Sequence, residues 1–270
     1  MTMTLLCKFG DKGDGVALLQ RRLARAGYPL PITHVFDDAT ERALMAAQSV
    51  FGLVVDGIAG PKTFAALAGI VPPHYLGAAD LERAAAALSV PLAAVRAVNE
   101  VESRGHGFLP DGRPVILFER HVFWKRLEAH GIDPAPLAVR YPNLVSTTPG
   151  GYQGDGAEYM RLATALTIHR AAALEACSWG SFQIMGYHWK ALEYASIEDF
   201  VGRMKLSEAE HLDAFVRFVR ADKRLVTALK DRKWSTFAKL YNGPAYARNL
   251  YDAKLAQAFA KYDAIDQVAA

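Results

Sequence analysis

Val98-Asn99-Glu100-Val101-Glu102-Ser103-Arg104-Gly105-His106-Gly107-Phe108 is an apolar helical pattern that runs into a glycine-broken loop. On a helical wheel at about 100° per residue, Leu92, Ala94, Val95, Val98 and Val101 share one broad face. Glu102 falls on that face, between Val95 and Val98. Glu100 falls on the opposite side, one turn after Arg96, where a solvated ion pair costs little. One carboxylate is therefore expected to face water and the other the core. Burial disfavours the ionised form of a carboxyl and raises its pKa. A carboxyl that keeps its proton near neutral pH is a general-acid candidate. The competing reading of Glu102 is a helix-end residue satisfied by Ser103 or by backbone amides.

The chain has 270 residues, enough for one large domain or two unequal ones. Hydrophobic residues at 51%, charged residues at 22% and a mean hydropathy of +0.05 describe an ordinary globular composition with ample core. A net charge of +3 and a pI near 8.8 suit an anionic polymer such as cell wall, and are too weak to argue for nucleic acid. Cys7 and Cys177 stand far apart with no metal-ligand spacing around them. Two buried free thiols are expected, not a disulfide scaffold or a zinc site. No cofactor is expected. Residues 1–10 lack a basic segment followed by a long apolar run, so no signal peptide is expected. No apolar run approaches the length of a membrane span. Synthesis in the cytoplasm, with release by another agent, is the expectation.

Toward the N-terminus, Gly10 to Gly15 is turn-rich, and Asp14 or a neighbour can cap the next helix. Val16, Leu18, Leu19 and Leu23 form its stripe, and Gly27 ends it. A second helix is expected from about Asp38 to Phe51 and a third from Pro61 to Gly69. Val35-Phe36-Asp37-Asp38-Ala39-Thr40 matches Ile58-Ala59-Gly60-Pro61-Lys62-Thr63 in role, each preceded by a helix carrying a Gln, Gln20 or Gln48. Two such units make a small three-helix domain. Gly13-Asp14-Gly15-Val16 with Leu19-Gln20, Gly27-Tyr28, Gln48 and Gly52-Leu53-Val54-Val55-Asp56-Gly57-Ile58-Ala59-Gly60-Pro61-Lys62-Thr63-Phe64 resembles the type 1 peptidoglycan-binding domain over residues 5–69. The resemblance implies wall binding. It departs at Thr33-His34, where Asp-Gly is usual, which bears on the first loop and not on the fold. Asp56-Gly57 and Gly60-Pro61 also read simply as turn chemistry.

Val71 to Gly77 is a short, semi-rigid proline-containing link. It suggests a binding domain over 1–70, a linker over 71–79 and a larger domain over 80–270. Helical patterning resumes from Asp80 to Leu88. Ser89 looks like the N-cap of the Glu102 helix, with Pro91 in its first turn. Val115-Ile116-Leu117-Phe118 is a short strand or buried extended segment. Tyr141 to Gly156 is long for a plain connector and could shape a cleft wall. One helix is expected over Ala157–Ala176, with Leu162, Leu166, His169 and Ala173 on its apolar side. Others are expected near Ile197–Met204, Glu208–Ala221, Arg224–Lys230, Trp234–Tyr241 and Tyr246–Tyr262. Ser207 with Glu210 is a capping box. The last helix is basic and amphipathic through Lys254, Lys261, Leu250, Leu255, Ala258 and Phe259. It either packs on the core or touches an outer membrane. The whole is mainly α with little strand.

Ser178-Trp179-Gly180-Ser181-Phe182-Gln183-Ile184-Met185-Gly186 interrupts the helical pattern. Gln183 can bond an acetamido group, or merely satisfy its own turn, and Trp179 offers a flat face to a sugar. Tyr241-Asn242-Gly243-Pro244 ends a helix sharply. Tyr241 could donate to a substrate oxygen or to the catalytic carboxyl. In order, Glu102-Ser103, Ser181 to Met185 and Tyr241-Asn242 resemble the lysozyme-like superfamily of goose-type lysozymes and lytic transglycosylases. Adding Gly107-Phe108, Ile116 to His121, Gly150-Gly151-Tyr152 and Arg161-Leu162, residues 80–265 look like the N-acetylmuramidase domain of phage endolysins.

That resemblance implies a lysozyme-like helical catalytic domain with Glu102 as its acid. It implies glycan-strand contacts from Ser103, Trp179, Ser181, Gln183, Tyr241 and Asn242. It also implies a monomeric, modular endolysin acting on Gram-negative walls from the periplasm after release by a holin. For a second carboxylate Glu119 is the candidate, against an ion pair with Arg120 or another Arg. Asp111 sits in an exposed turn, and Asp155 lies in the Gly-rich loop. Without a second carboxylate, water gives hydrolysis and the muramyl 6-hydroxyl gives an anhydro product. His106 has no Ser or Cys nucleophile motif beside it and reads as a loop residue. A non-catalytic wall-binding protein is the alternative from another class.

Overall fold

In the computed structural model, which describes residues 5–71, 74–103, 106–154, 156–243, 247 and 249–269, the apolar stripes of the N-terminal part become three helices. They are α1 (Asp14–Arg25), α2 (Asp38–Val50) and α3 (Pro61–Ala66). Val16, Leu19, Leu23, Phe36, Leu44, Ala47, Ala59 and Phe64 form their shared core. The internal repeat has a hydrogen-bonded cause. Buried Gln20 donates to Thr33 Oγ1, Val35 O and Thr40 Oγ1 and accepts from the amides of Thr33 and His34. Gln48 treats Asp56 Oδ1, Ile58 O and the amides of Asp56 and Gly57 in the same way. Each amide side chain thus satisfies a loop that its own helix cannot reach by backbone bonds. Thr33 Oγ1 does the work of Asp56 Oδ1, and His34 (φ 61°) adopts the left-handed turn of Gly57 (φ 70°). The departure from Asp-Gly therefore leaves the loop intact. Neither Asp14 nor a neighbour caps α1, whose N-cap is Gly13 without a side-chain bond; α2 is capped by Asp37, which accepts from Thr40 N at 2.9 Å.

The chain divides into two compact units, Met1–Asp80 and Leu81–Ala270. From the boundary onward the elements are α4 (Ala78–Leu88), α5 (Leu92–Glu102), β1 (Ile116–Phe118), α6 (Arg120–Ala129), α7 (Ala135–Arg140), α8 (Ala157–Ile168), α9 (Arg170–Glu175), β2 (Cys177–Trp179) and β3 (Ile184–Met185). After a short 3-10 turn follow α10 (Ile197–Met204), α11 (Glu208–Ala221), α12 (Lys223–Lys230), α13 (Trp234–Asn242) and α14 (Tyr251–Ala269). The strands form one antiparallel sheet in the order β1-β2-β3, with Ile116 opposite Trp179 and Trp179 opposite Ile184. Strand is scarce and the fold is mainly α, as the periodicity requires. Cys7 and Cys177 are free and buried. Among the described residues no single helix is long and apolar enough to cross a membrane.

Several local expectations are corrected. Ser89 is not the cap of α5; it turns left-handed (φ 53°) to close α4, and Pro91 stands at the cap position. The helix expected over Ala157–Ala176 breaks at His169, whose extended backbone and Nδ1 start α9 by accepting from Ala172 N at 3.1 Å. The Ser207 hydroxyl accepts from Glu210 N at 3.3 Å, but the Glu210 carboxylate bonds Arg203, so only half of the capping box forms. Helices α6 and α7 add to the helices that the apolar spacing predicts. α14 packs along α5 through a face that includes buried Leu255, Ala258, Phe259 and Tyr262, so it belongs to the core and not to a membrane surface. Leu250 lies outside this helix and is exposed. Arg104, Gly105, Asp155, the Pro72-Pro73 link, Pro244 and the helix start expected at Tyr246 lie outside the described residues.

Candidate active site

Glu102 is the last residue of α5, because Ser103 turns extended (φ −81°, ψ 149°) and donates its amide to Asn99 O. Ala93, Ala94, Val95, Ala97 and Val98 bury the helix face below it. Small alanines let α14 approach closely, and α14 also claims the outward charges. Glu100 receives Tyr262 Oη at 2.6 Å and Lys261 Nζ at 3.1 Å, while Arg96 pairs with Asp266. The expected Arg96–Glu100 pair within α5 is therefore replaced by ties between helices.

The Glu102 carboxyl meets Asn242, 140 residues later in the chain, whose Nδ2 donates to Oε1 at 2.8 Å. Asn242 is delivered by the end of α13, where Gly243 takes φ 78° and ψ −176°, a conformation open essentially to glycine. Burial pushes the Glu102 pKa up to about 7, against the Asn242 hydrogen bond and the charge of Lys254. Since Oε1 accepts from Asn242, a proton on this carboxyl belongs on Oε2. Asn242 thus contacts the carboxyl.

The Tyr241 hydroxyl donates to Phe182 O at 3.1 Å and not to Glu102. Burial and the nearby Glu102 charge push its pKa upward, so the donor stays protonated. Its acceptor lies in the β2–β3 hairpin loop, where Gly180 (φ 71°) and Gln183 (φ 52°) are left-handed. Gln183 donates from Nε2 to Gly180 O at 2.8 Å and accepts from Ser178 Oγ at 2.9 Å, so its amide serves its own turn. Trp179 is 1% exposed and donates to Leu174 O; it is a core residue and has no face to offer a sugar. Ser181 is 5% exposed, its amide and hydroxyl both directed to His211 Nδ1. These two expected substrate contacts are corrected to structural roles by burial.

Glu119 does not pair with an arginine. Both of its oxygens accept from Tyr152 Oη, at 3.0 and 2.9 Å, and His121 Nδ1 lies 3.2 Å from Oε2. Arg120 instead holds Thr148 O and Pro149 O. At one end of β1, Val115 bonds Gly107 and Gly180; at the other, Glu119 N bonds Ala176 O. Glu119 therefore serves as a latch for the Gly-rich loop. Asp111 is held by Arg113, His106 is exposed, and among the described residues no group of acidic, His or Cys side chains could hold a metal.

Residues 91–263 match the N-acetylmuramidase family, and residues 12–67 match a peptidoglycan binding domain. The chain belongs to the N-acetylmuramidase family. An endolysin of Burkholderia phage AP3, known from its crystal structure, is 58% identical with a TM-score of 0.92, covering 96% of this chain and 99% of that one. Shorter pieces resemble other wall enzymes. A zinc D-Ala-D-Ala carboxypeptidase of Streptomyces albus G is 47% identical over 60 residues, 20% of this chain. An N-acetylmuramoyl-L-alanine amidase of Bacillus licheniformis is 43% identical over 72 residues, 26% of this chain. The chain spans only 23% and 20% of the length of these two relatives. Membership places the chain among peptidoglycan-degrading glycoside hydrolases of lysozyme type. Within this muramidase unit, Glu208 and His211 are buried residues that sequence reasoning missed. Their signal was present as a Glu-x-x-His spacing that puts both on one face of α11.

Proposed function

We propose that this chain is a modular endolysin that cleaves the β-1,4 bond between N-acetylmuramic acid and N-acetylglucosamine, with Glu102 as general acid. The observation that carries it is the half-buried Glu102 carboxyl, raised to about 7 and oriented by Asn242. Breaking a glycosidic bond needs a proton on the leaving oxygen and stabilisation of an oxocarbenium-like centre. Oε2 of Glu102 supplies that proton. Residues 1–70 hold the wall, 71–79 link, and 80–270 carry the chemistry. Synthesis in the host cytoplasm and action in the periplasm accord with this layout. A holin for release is implied by the endolysin family alone.

Glu119 and Asp111 are committed to partners of their own, which favours attack by water or by the muramyl 6-hydroxyl over a carboxylate nucleophile. Mass spectrometry of muropeptides released from purified Gram-negative peptidoglycan separates the two. Reducing N-acetylmuramic ends, released by wild type and not by Glu102→Gln, are the expected result. Anhydro-muramyl ends would make the reaction a transglycosylation with the same acid. Release by Glu102→Gln at the wild-type rate would sink the assignment of the acid. No release by either protein would leave a wall-binding protein.

A further inference from the structure

Glu208 and His211 are 2% and 1% exposed, one turn apart on α11. Glu208 Oε1 accepts the Gly107 amide at 2.8 Å. His211 Nδ1 lies 3.2 Å from Ser181 N, and its Nε2 lies 2.7 Å from Met204 O. A backbone amide only donates, so Nδ1 is the acceptor and Nε2 carries the proton given to Met204 O. The imidazole also stacks on Phe108, with centroids 5.0 Å apart. Side chains at Gly107 or Gly180 would collide with this ring. One helix thus grips two segments. One follows the Glu102 helix; the other is the hairpin loop whose Phe182 carbonyl accepts from Tyr241, the residue before Asn242.

We propose that Glu208 and His211 are positioning residues that set the register between the segment following Glu102 and the Gly180–Gln183 loop, and so fix where the Glu102 proton is delivered. The proposal rests on Glu102 being the acid. Neither side chain is assigned contact with substrate. Their effect runs through Gly107, whose carbonyl accepts Val115 N, and through Ser181, whose neighbour Gly180 donates its amide to Val115 O. Loosening either grip lets the carboxyl shift and rehydrate.

The test measures kcat, KM and the pH dependence of kcat/KM on purified peptidoglycan, using the full chain. Glu208→Ala and His211→Phe should keep the near-UV spectrum of a folded protein and wild-type wall binding. They should lose about ten- to a hundredfold in kcat at nearly unchanged KM, the scale of a small misplacement. The alkaline limb of kcat/KM should fall by about one pH unit as the carboxyl rehydrates. Glu208→Gln and His211→Asn keep the accepting atoms and should restore most of kcat. Leu127→Ala, a core cavity elsewhere, should keep both kcat per folded molecule and the limb. Wild-type kcat and limb in folded Glu208→Ala and His211→Phe overturn the proposal, as does a loss that merely follows the folded fraction. If those two variants do not fold, His211→Asn against His211→Gln decides. Asn keeps the acceptor for Ser181 and Gln keeps the donor to Met204, so Asn must exceed Gln in kcat, and equality overturns the proposal. Glu102→Gln runs alongside. If it stays active, the reading of the acid fails; if it is dead while the Glu208 and His211 variants are fully active, only the positioning proposal fails.

Discussion

Glu102 is held protonated at a cost to stability, the state that the proposed general acid requires. Its folded pKa of about 7 lies above the ordinary 4.5. Between those values the folded state binds more protons than the unfolded chain, so stability falls as pH rises through that window. Glu102→Gln keeps the acceptor for Asn242 and removes the titration. It should therefore be more stable than wild type by about 1–3 kcal/mol at pH 8, with the gap closing near pH 5, measured by urea unfolding. Wild-type kcat/KM should fall as pH rises through about 7, because the acid must carry its proton. His34 is the second residue with a definite expectation. It holds a left-handed conformation that its counterpart leaves to Gly57. His34→Gly should raise the stability of the N-terminal unit by about 0.5–1 kcal/mol in thermal unfolding, since the steric relief exceeds the extra chain entropy of glycine.

Among the elements, the Gly-rich segment before α8 is ordered by one buried ion pair. Glu158 accepts from Phe118 N on β1, from Gln153 N and Gly154 N in the loop, and from Arg161 at 2.7 Å. Burial opposes its charge, but these donors together hold its pKa below the ordinary value. Its contribution is present above the unfolded pKa of a carboxylate and is lost as pH falls through the lower, folded value. Glu158→Ala strands Arg161 and should cost about 3–5 kcal/mol in denaturant unfolding at pH 7. Most of the helices, α6 and α7 excepted, were legible because apolar periodicity is local, and α10 and α11 begin and end where their stripes and serine caps place them. The break at His169 was not, since an imidazole that caps a new helix and packs on His130 looks in sequence like one more apolar-face position.

For the whole molecule, the two units divide binding from chemistry in the proposed reading. Removing residues 1–70 should raise the apparent KM on intact walls about tenfold or more while leaving kcat on soluble uncleaved glycan strands within about twofold, because tethering raises effective concentration without touching the reacting bond. Equal KM values with and without the N-terminal unit would remove wall binding as its role. The small net charge of +3 makes long-range attraction to an anionic wall a minor aid, to be read as a modest salt dependence of binding.

The sequence by itself determined that the chain is mainly helical, the duplicated Gln-and-loop unit and the candidacy of Glu102, because each rests on a pattern local in the chain. Only the tertiary structure decided what each polar group meets. Asn242 reaches Glu102 across 140 residues, Gly107 reaches Glu208 across 101, and Ser181 reaches His211 across 30. Trp179 and Ser181 carry the chemistry of sugar contacts, yet the sheet and α11 bury both. A helical wheel gives the direction in which a side chain leaves its helix. The partner waiting there is set by packing between elements distant in the chain, and that packing raises the Glu102 pKa and brings Tyr152 to Glu119.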